Sequence, residues 1–226
     1  MRHVARRFDL AHGGSVAGAV TMPAATRADT TVVLAHGAGT DMTNPLLAAV
    51  ADGLARHGFP AVRFNFPYTE RGARAPDPAP VLEACYRDVL AQVRADPALR
   101  PRRLVIGGKS MGGRMASHLA AAGEAVDGLL FLGYPLHPAG KPGQLRAAHL
   151  ARIGAPMLFL AGTRDALCRL DLLRGALAGL PNATLHVVDD GDHSFAVRKR
   201  SGRDAAAVLD EIVDACVAWL GATIGA

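Results

Sequence analysis

A series of short apolar runs, each closing on a glycine or an acidic turn, constrains this chain more than any other feature. The runs are TTVVLAHGAG (30–39), PAVRFNFPY (60–68), RLVIGG (103–108), DGLLFLGYP (127–135), PMLFLAG (156–162) and TLHVVDD (184–190). They are continuously apolar rather than alternating, which is how strands buried on both faces read. Helical stretches separate them. Asn44-Pro45 opens one that runs through His57 and stops at Gly58. Others cover about Val81 to Ala95, Ser110 to Ala122 and Cys168 to Ala178. A last one covers Asp204 to Ile224, with Val208, Ile212, Ala215, Cys216 and Trp219 at helical spacing. Strand alternating with helix predicts an α/β fold: a mostly parallel central sheet with helices on both faces. Upstream, FDL (8–10) and SVAGAVTMP (15–23) straddle Gly13-Gly14 and predict an antiparallel edge hairpin. One domain over residues 1–226 is expected, with no large cap and with about 135–152 as a short lid.

Composition narrows the function classes. Half the residues are hydrophobic and a fifth are charged, a soluble globular balance. No apolar run reaches the roughly 18 residues of a membrane span, and MRHVARRFDL lacks a signal-peptide core, so a cytoplasmic protein without membrane association is expected. Cys85, Cys168 and Cys216 are odd in number and scattered, which argues for packed thiols rather than a disulfide framework or a zinc site. The net charge of +5 is carried mostly by arginine. The one dense basic run, Arg198-Lys199-Arg200, reads as a solvated approach to a helix. Basic residues are not interleaved with aromatics, so a nucleic-acid partner is not expected.

The stretch LVIGGKSMGGRMA (104–116) fits two machines. A P-loop needs Gly-x-x-x-x-Gly-Lys-Ser/Thr; its first glycine would fall at Arg103, and the residues between belong to the strand. A nucleophile elbow needs Gly-x-Ser-x-Gly between strand and helix. Gly108, Ser110 and Gly112 fill that pattern, and Gly113 relaxes it further. The small residues let strand and helix pass, and the serine sits at a helix N-terminus whose dipole favours negative charge.

A serine nucleophile needs a base, and the base needs an acid to orient it, in the chain order Ser, Asp/Glu, His on this architecture. Asp165 in LFLAGTRD and His193 in VVDDGDHSF each follow a strand's carboxyl end, where reactive groups of open α/β sheets gather. Ser110, Asp165 and His193 are the candidate catalytic set. His186 is a mid-strand rival; His137 and His149 precede the acid's strand and are out of order. Asp189, Asp190 and Asp192 crowd the histidine and read as turn formers with Gly191. The oxyanion hole would combine the backbone N–H of Met111 with one from His36-Gly37-Ala38-Gly39; Ala38 is favoured, with Gly37 or Gly39 open. His36 is read as a brace for that loop. Phe66, Tyr68 and Tyr134 end neighbouring strands; they suit an acyl pocket and a plain core equally well. Arg71, Arg74 and Arg114 are candidates to receive a substrate carboxylate, against plain solvent exposure. No metal and no cofactor is called for.

HGAG, GKSMGG, GTRD and GDHSF fall in one order along nearly the whole chain and resemble the α/β-hydrolase superfamily. GKSMGGR with GYPLHPAGKPG and LRAAHL more narrowly resembles a small cap-less branch. That branch is related to dienelactone hydrolases and grouped with the testis-expressed and NSL-chromatin-complex subunit proteins. The resemblance implies a serine hydrolase fold. Dienelactone hydrolases carry cysteine as nucleophile where this chain has Ser110, a departure that counts against dienelactone itself. Two functions stay open: a serine hydrolase of a small carboxylic ester or thioester, and a non-catalytic binding or scaffold protein on the same fold.

Overall fold

Packing, more than propensity, decides how the apolar runs are used. The computed structural model describes residues 1–25, 29–99 and 101–224. Eight strands form one sheet: β1 (Arg2–Asp9), β2 (Ser15–Met22), β3 (Thr30–Ala35), β4 (Ala61–Phe64), β5 (Arg103–Lys109), β6 (Gly128–Leu132), β7 (Met157–Gly162) and β8 (Ala183–Val188). Their order across the sheet is β1-β2-β4-β3-β5-β6-β7-β8. From β4 to β8 every neighbour is parallel, while β1 and β2 form the antiparallel hairpin at one edge.

The strand side chains divide between two apolar layers. Val33, Ile106, Leu129, Phe131 and Phe159 pack under α3 (Ala79–Ala95), α4 (Met111–Ala121) and α5 (Leu170–Leu177). Val32, Leu34, Val105, Leu130 and Leu158 pack under α1 (Pro45–Arg56) and α6 (Ala205–Trp219). Both faces of β3, β5, β6 and β7 are therefore dry, which is why these runs lack alternation. Burying one such side chain contributes roughly 1.5–3 kcal/mol. Helix α1 starts as the sequence predicts: the Asn44 side chain accepts a hydrogen bond from the Leu47 N–H at 3.3 Å, and Pro45 begins the first turn.

The run 60–68 departs from expectation. The strand ends at Phe64, and Pro67–Glu70 forms a short helix, α2. Phe66 donates its N–H to His36 instead of to a neighbouring strand, and Pro67 has no N–H to give, so the ladder cannot continue. The final helix keeps its α geometry to Trp219 and widens to a π turn over Leu220–Ile224. Residues 133–147 contain neither strand nor helix and lead into a single 3-10 turn, Ala148–Arg152. The described residues include no lid domain. No helix among the described residues is long and apolar enough to cross a membrane.

Candidate active site

Ser110 sits at the junction of β5 and α4 with φ 49° and ψ −113°, a left-handed conformation that a non-glycine residue adopts only under constraint. Close contact between the elbow and β3 supplies the constraint. A Cβ on Gly112 would lie 2.2 Å from the Ala35 carbonyl oxygen, and one on Gly108 would lie 2.1 Å from it. Neither position can carry a side chain while strand and helix stay this close. Serine at a helix N-cap usually bonds to the backbone of its own helix. The Ser110 side chain makes no such bond; it lies 2.8 Å from His193 Nε2.

His193 Nδ1 in turn lies 2.8 Å from Asp165 Oδ2. The Asp165 side chain is wholly buried, and its Oδ1 accepts the Leu167 N–H at 2.7 Å. A buried carboxylate facing Nδ1 requires the proton there, so the Nε2 lone pair faces the Ser110 hydroxyl. The loop carrying His193 is anchored from both sides. Asp190 accepts the Arg198 N–H at 2.7 Å and pairs with the Arg198 guanidinium, which holds the Asp190 carboxyl well below the usual carboxylate range. Asp192 Oδ1 accepts the N–H groups of Ser194 at 2.8 Å and Ala196 at 3.0 Å. The neighbouring aspartates thus shape the turn, as their sequence positions suggest, and none of them bonds the His193 ring. The Arg198 side chain is spent on this clamp.

Two rival histidines are engaged elsewhere. His186 pairs with Glu211 at 2.9 Å, and His137 Nε2 accepts the Arg169 N–H at 3.2 Å. His149 lies near another serine, Ser117.

The loop after β3 lies against the nucleophile: a Cβ on Gly37 would be 3.6 Å from Ser110 Cβ. His36 is fully buried, accepts the Phe66 N–H on Nε2 at 3.0 Å and donates from Nδ1 to the Gly37 carbonyl at 2.9 Å. Burial holds its pKa below the ordinary value, in keeping with a neutral ring that uses one nitrogen as donor and the other as acceptor. Thr40 Oγ1 and Tyr68 OH also donate to the Gly37 carbonyl, at 3.1 and 3.4 Å. A trans peptide sets N–H opposite C=O, so the Ala38 N–H faces away from these three donors. Ala38, Ser110 and Met111 share a cavity of about 310 Å³. A larger cavity of about 420 Å³, near Leu10, Val81 and Cys85, contains no candidate catalytic residue.

Phe66, Tyr68 and Tyr134 require a correction as pocket residues. All three are core: none is more than 1% exposed and none lines the site cavity. Phe66 and Tyr68 pack edge-on against the His36 ring, with centroids 5.0 and 5.7 Å away. Tyr134 packs on Phe131 and Phe159 and donates its hydroxyl to the Arg146 carbonyl at 2.9 Å. The apolar wall comes instead from Leu82, Met111, Met115 and Leu167, and the polar wall from Asp77, Arg114 and Arg146. Of the arginines singled out in the sequence, only Arg114 reaches this cavity; Arg71 pairs with Asp77 at 2.5 Å, and Arg74 is exposed.

Sequence reading also missed Lys109. Its buried amine donates to the His193 carbonyl at 3.0 Å, which ties the elbow to the histidine loop. Burial lowers its pKa, against the pull of Asp165 and Asp192. One available signal was its place inside the elbow in a chain with few lysines. Arg146, in an irregular stretch, carried no signal.

The alpha/beta hydrolase domain model matches residues 28–221. The chain belongs to that family. Solved structures with the same fold include an α/β serine hydrolase without lid from Xanthomonas campestris, at 22% identity and TM-score 0.73, covering 97% of this chain and 95% of that one. A dienelactone hydrolase from Anabaena variabilis superimposes at 19% identity and TM-score 0.73, with 98% of each chain covered. The esterase domain of a Rhodothermus marinus protein does so at 15% identity and TM-score 0.75 over the whole of both chains. The antiparallel hairpin and parallel sheet described above are the α/β-hydrolase fold, and the described residues include no lid domain.

Proposed function

We propose that this protein is a serine hydrolase of small carboxylic esters or thioesters, working through an acyl-enzyme on Ser110. One observation carries the reading: Ser110, His193 and Asp165 are joined by two hydrogen bonds of 2.8 Å, with the acid buried and the serine opening on a cavity. Ser110 Oγ attacks the acyl carbonyl as His193 Nε2 takes its proton. Asp165 keeps the ring in the productive tautomer and stabilises the imidazolium. The N–H groups of Met111 and Ala38 receive the oxyanion, Met111 from the first turn of α4 and Ala38 from the peptide whose carbonyl is held by His36 and Thr40. One such donor is worth about 3 kcal/mol of barrier lowering. His193 then protonates the leaving group, and water, activated by the same imidazole, clears the acyl-enzyme.

The same proposal treats the chain as one domain, with residues 135–152 as a short lid whose Pro135 and Arg146 wall the cavity. It places the chain in the cap-less branch of the testis-expressed and NSL-complex-subunit proteins on the strength of GKSMGGR and GYPLHPAGKPG. A fluorophosphonate probe tests it. Labelling of the wild type and of Ser117→Ala, but not of Ser110→Ala, is the expected result. An unlabelled wild type would leave the scaffold reading in its place.

A further inference from the structure

Among the described residues the other arginines that are not exposed have polar partners: Arg6 holds Asp96, Arg203 holds Glu211, and the buried Arg63 donates to the Met42 carbonyl at 2.8 Å. Arg114 and Arg146 differ. Neither side chain has an ion pair or hydrogen bond among the described residues, although both are half-buried and both line the cavity that holds Ser110. Glu83, on the neighbouring helix α3, acts on Arg114 electrostatically, but its Oε1 is taken by His118 Nδ1 at 2.8 Å. Asp77 lines the same cavity, but its Oδ1 is engaged by Arg71 at 2.5 Å. Two guanidinium groups therefore line one small space that also holds a single carboxylate, Asp77, and neither of them bonds it: its Oδ1 is engaged by Arg71 and its Oδ2 has no hydrogen-bond partner. Burial and the closeness of Arg146 both lower the pKa of Arg114, as expected of like charges meeting in a partly dry site.

The backbone under both side chains is fixed. Ser117 Oγ donates to the Arg114 carbonyl at 2.7 Å, and Tyr134 OH donates to the Arg146 carbonyl at 2.9 Å. Arg114 also stands four residues after Ser110, on the same side of α4. No residue of the His193 loop contributes to the cavity wall. His193 delivers its proton to the leaving group, so the leaving group lies on the histidine side. The cavity on the other side receives the acyl portion.

Resting on the hydrolase reading above, we propose that Arg114 and Arg146 together bind a carboxylate at the far end of the acyl group, so that the preferred substrates are half-esters or half-thioesters of short dicarboxylic acids. Planar guanidinium forks match a carboxylate in geometry as well as in charge. A volume of about 310 Å³ is at the small end for ligand sites, which run from about 300 Å³ upward, and suits a short acyl chain.

The test compares p-nitrophenyl hydrogen glutarate with p-nitrophenyl valerate, which differ only by carboxylate for methyl, each corrected for its enzyme-free rate. The wild type is expected to favour the glutarate at least tenfold in kcat/KM, chiefly through KM. Arg114→Leu/Arg146→Leu is expected to reduce that ratio at least tenfold, and Arg114→Lys/Arg146→Lys to restore part of it. A second measurement needs no turnover: disodium glutarate should raise the melting temperature of Ser110→Ala and leave that of Ser110→Ala/Arg114→Leu/Arg146→Leu unmoved. A wild type that favours the valerate, or a glutarate preference that survives in the leucine variant, overturns the carboxylate site. Absence of fluorophosphonate labelling at Ser110 overturns the hydrolase reading instead, and the glutarate melting shift then still decides whether the anion site exists.

Discussion

Two serine–histidine pairs in this protein share one geometry and differ in almost everything else. Ser110 Oγ lies 2.8 Å from His193 Nε2, and Ser117 Oγ lies 2.8 Å from His149 Nε2, with Ser110 at the N-cap of α4 and Ser117 two turns further along it. Distance does not separate them; the direction of the proton does. The Ser117 hydroxyl gives its hydrogen to the Arg114 carbonyl, and the nearby Tyr134 hydroxyl gives its hydrogen to the Arg146 carbonyl. His149 must therefore be the donor to Ser117, from Nε2–H, and cannot act as its base. At His193 the buried Asp165 claims the Nδ1 proton and leaves Nε2 free to accept from Ser110. No carboxylate among the described residues bonds His149. Its neighbours are the His118 ring, edge-on at 4.7 Å, and Arg114 and Arg152. Burial first, and then these cations, push its pKa down to about 4. Backbone strain differs as well: Ser110 is held at positive φ and opens on a cavity, whereas Ser117 is an ordinary helical residue with no exposed surface. A serine and a histidine in contact become a nucleophile and base only when a third group sets the tautomer and a route to substrate remains.

The contrast is most directly broken by mutation. Ser110→Ala is expected to lower kcat for p-nitrophenyl ester hydrolysis by about 10⁵-fold or more, the scale seen when a triad serine is removed. Ser117→Ala should keep kcat/KM within about threefold, because Ser117 bonds neither Ser110 nor His193 and the Arg114 carbonyl keeps its partner in the helix. Equal losses in the two variants would put the chemistry in doubt. Asp165→Asn retains the shape of the site but offers the wrong hydrogen-bonding partner, and should cost about 10⁴-fold in kcat with little change in melting temperature. Lys109→Met removes the tie between the elbow and the His193 carbonyl; we expect kcat to fall about tenfold with KM nearly constant, since misplacing a catalytic group by a fraction of an ångström carries penalties of that order.

The smallest effect concerns the second pair alone. His149 is neutral when folded, with a pKa near 4 against 6.5 in the unfolded chain. Between those values the unfolded chain binds more protons. The stability contributed is complete above about pH 6.5 and is lost as pH falls toward 4. One pKa unit corresponds to about 1.4 kcal/mol, and partial exposure of the ring reduces the loss to about 1–2 kcal/mol. In a chain of this size that is a melting-temperature difference of about 2–8 °C. His149→Gln should flatten the profile between pH 7 and 4.5; an unchanged slope would show that His149 is not the titrating group.

The catalytic candidates were legible in the linear chain because each announces itself locally. Gly108-x-Ser110-x-Gly112 follows a buried run, and Asp165 and His193 each follow the end of another. Parallel strands deliver successive loops to one edge, so three such signals imply one site. The Phe66 and Tyr68 strand ending was misread because the competition came from afar, from His36, thirty residues upstream of Phe66, which takes the Phe66 N–H. Arg146 could not be found at all: it lies in a stretch without periodicity, and its place beside Arg114 depends on how that stretch returns over α4.

Alternation of buried runs with helical stretches thus determined, from the sequence alone, the layered sheet, its direction and the edge at which chemistry collects, because burial on two faces and the reach of each loop are properties of neighbouring residues. Tertiary structure alone decided which of two serine–histidine contacts holds an acid behind the ring, which aromatic residues are core rather than pocket, and which charges are left unpaired. Those are properties of residues distant in the chain, and the protons and counter-ions that distinguish them are assigned only when the folded molecule brings donors and acceptors together.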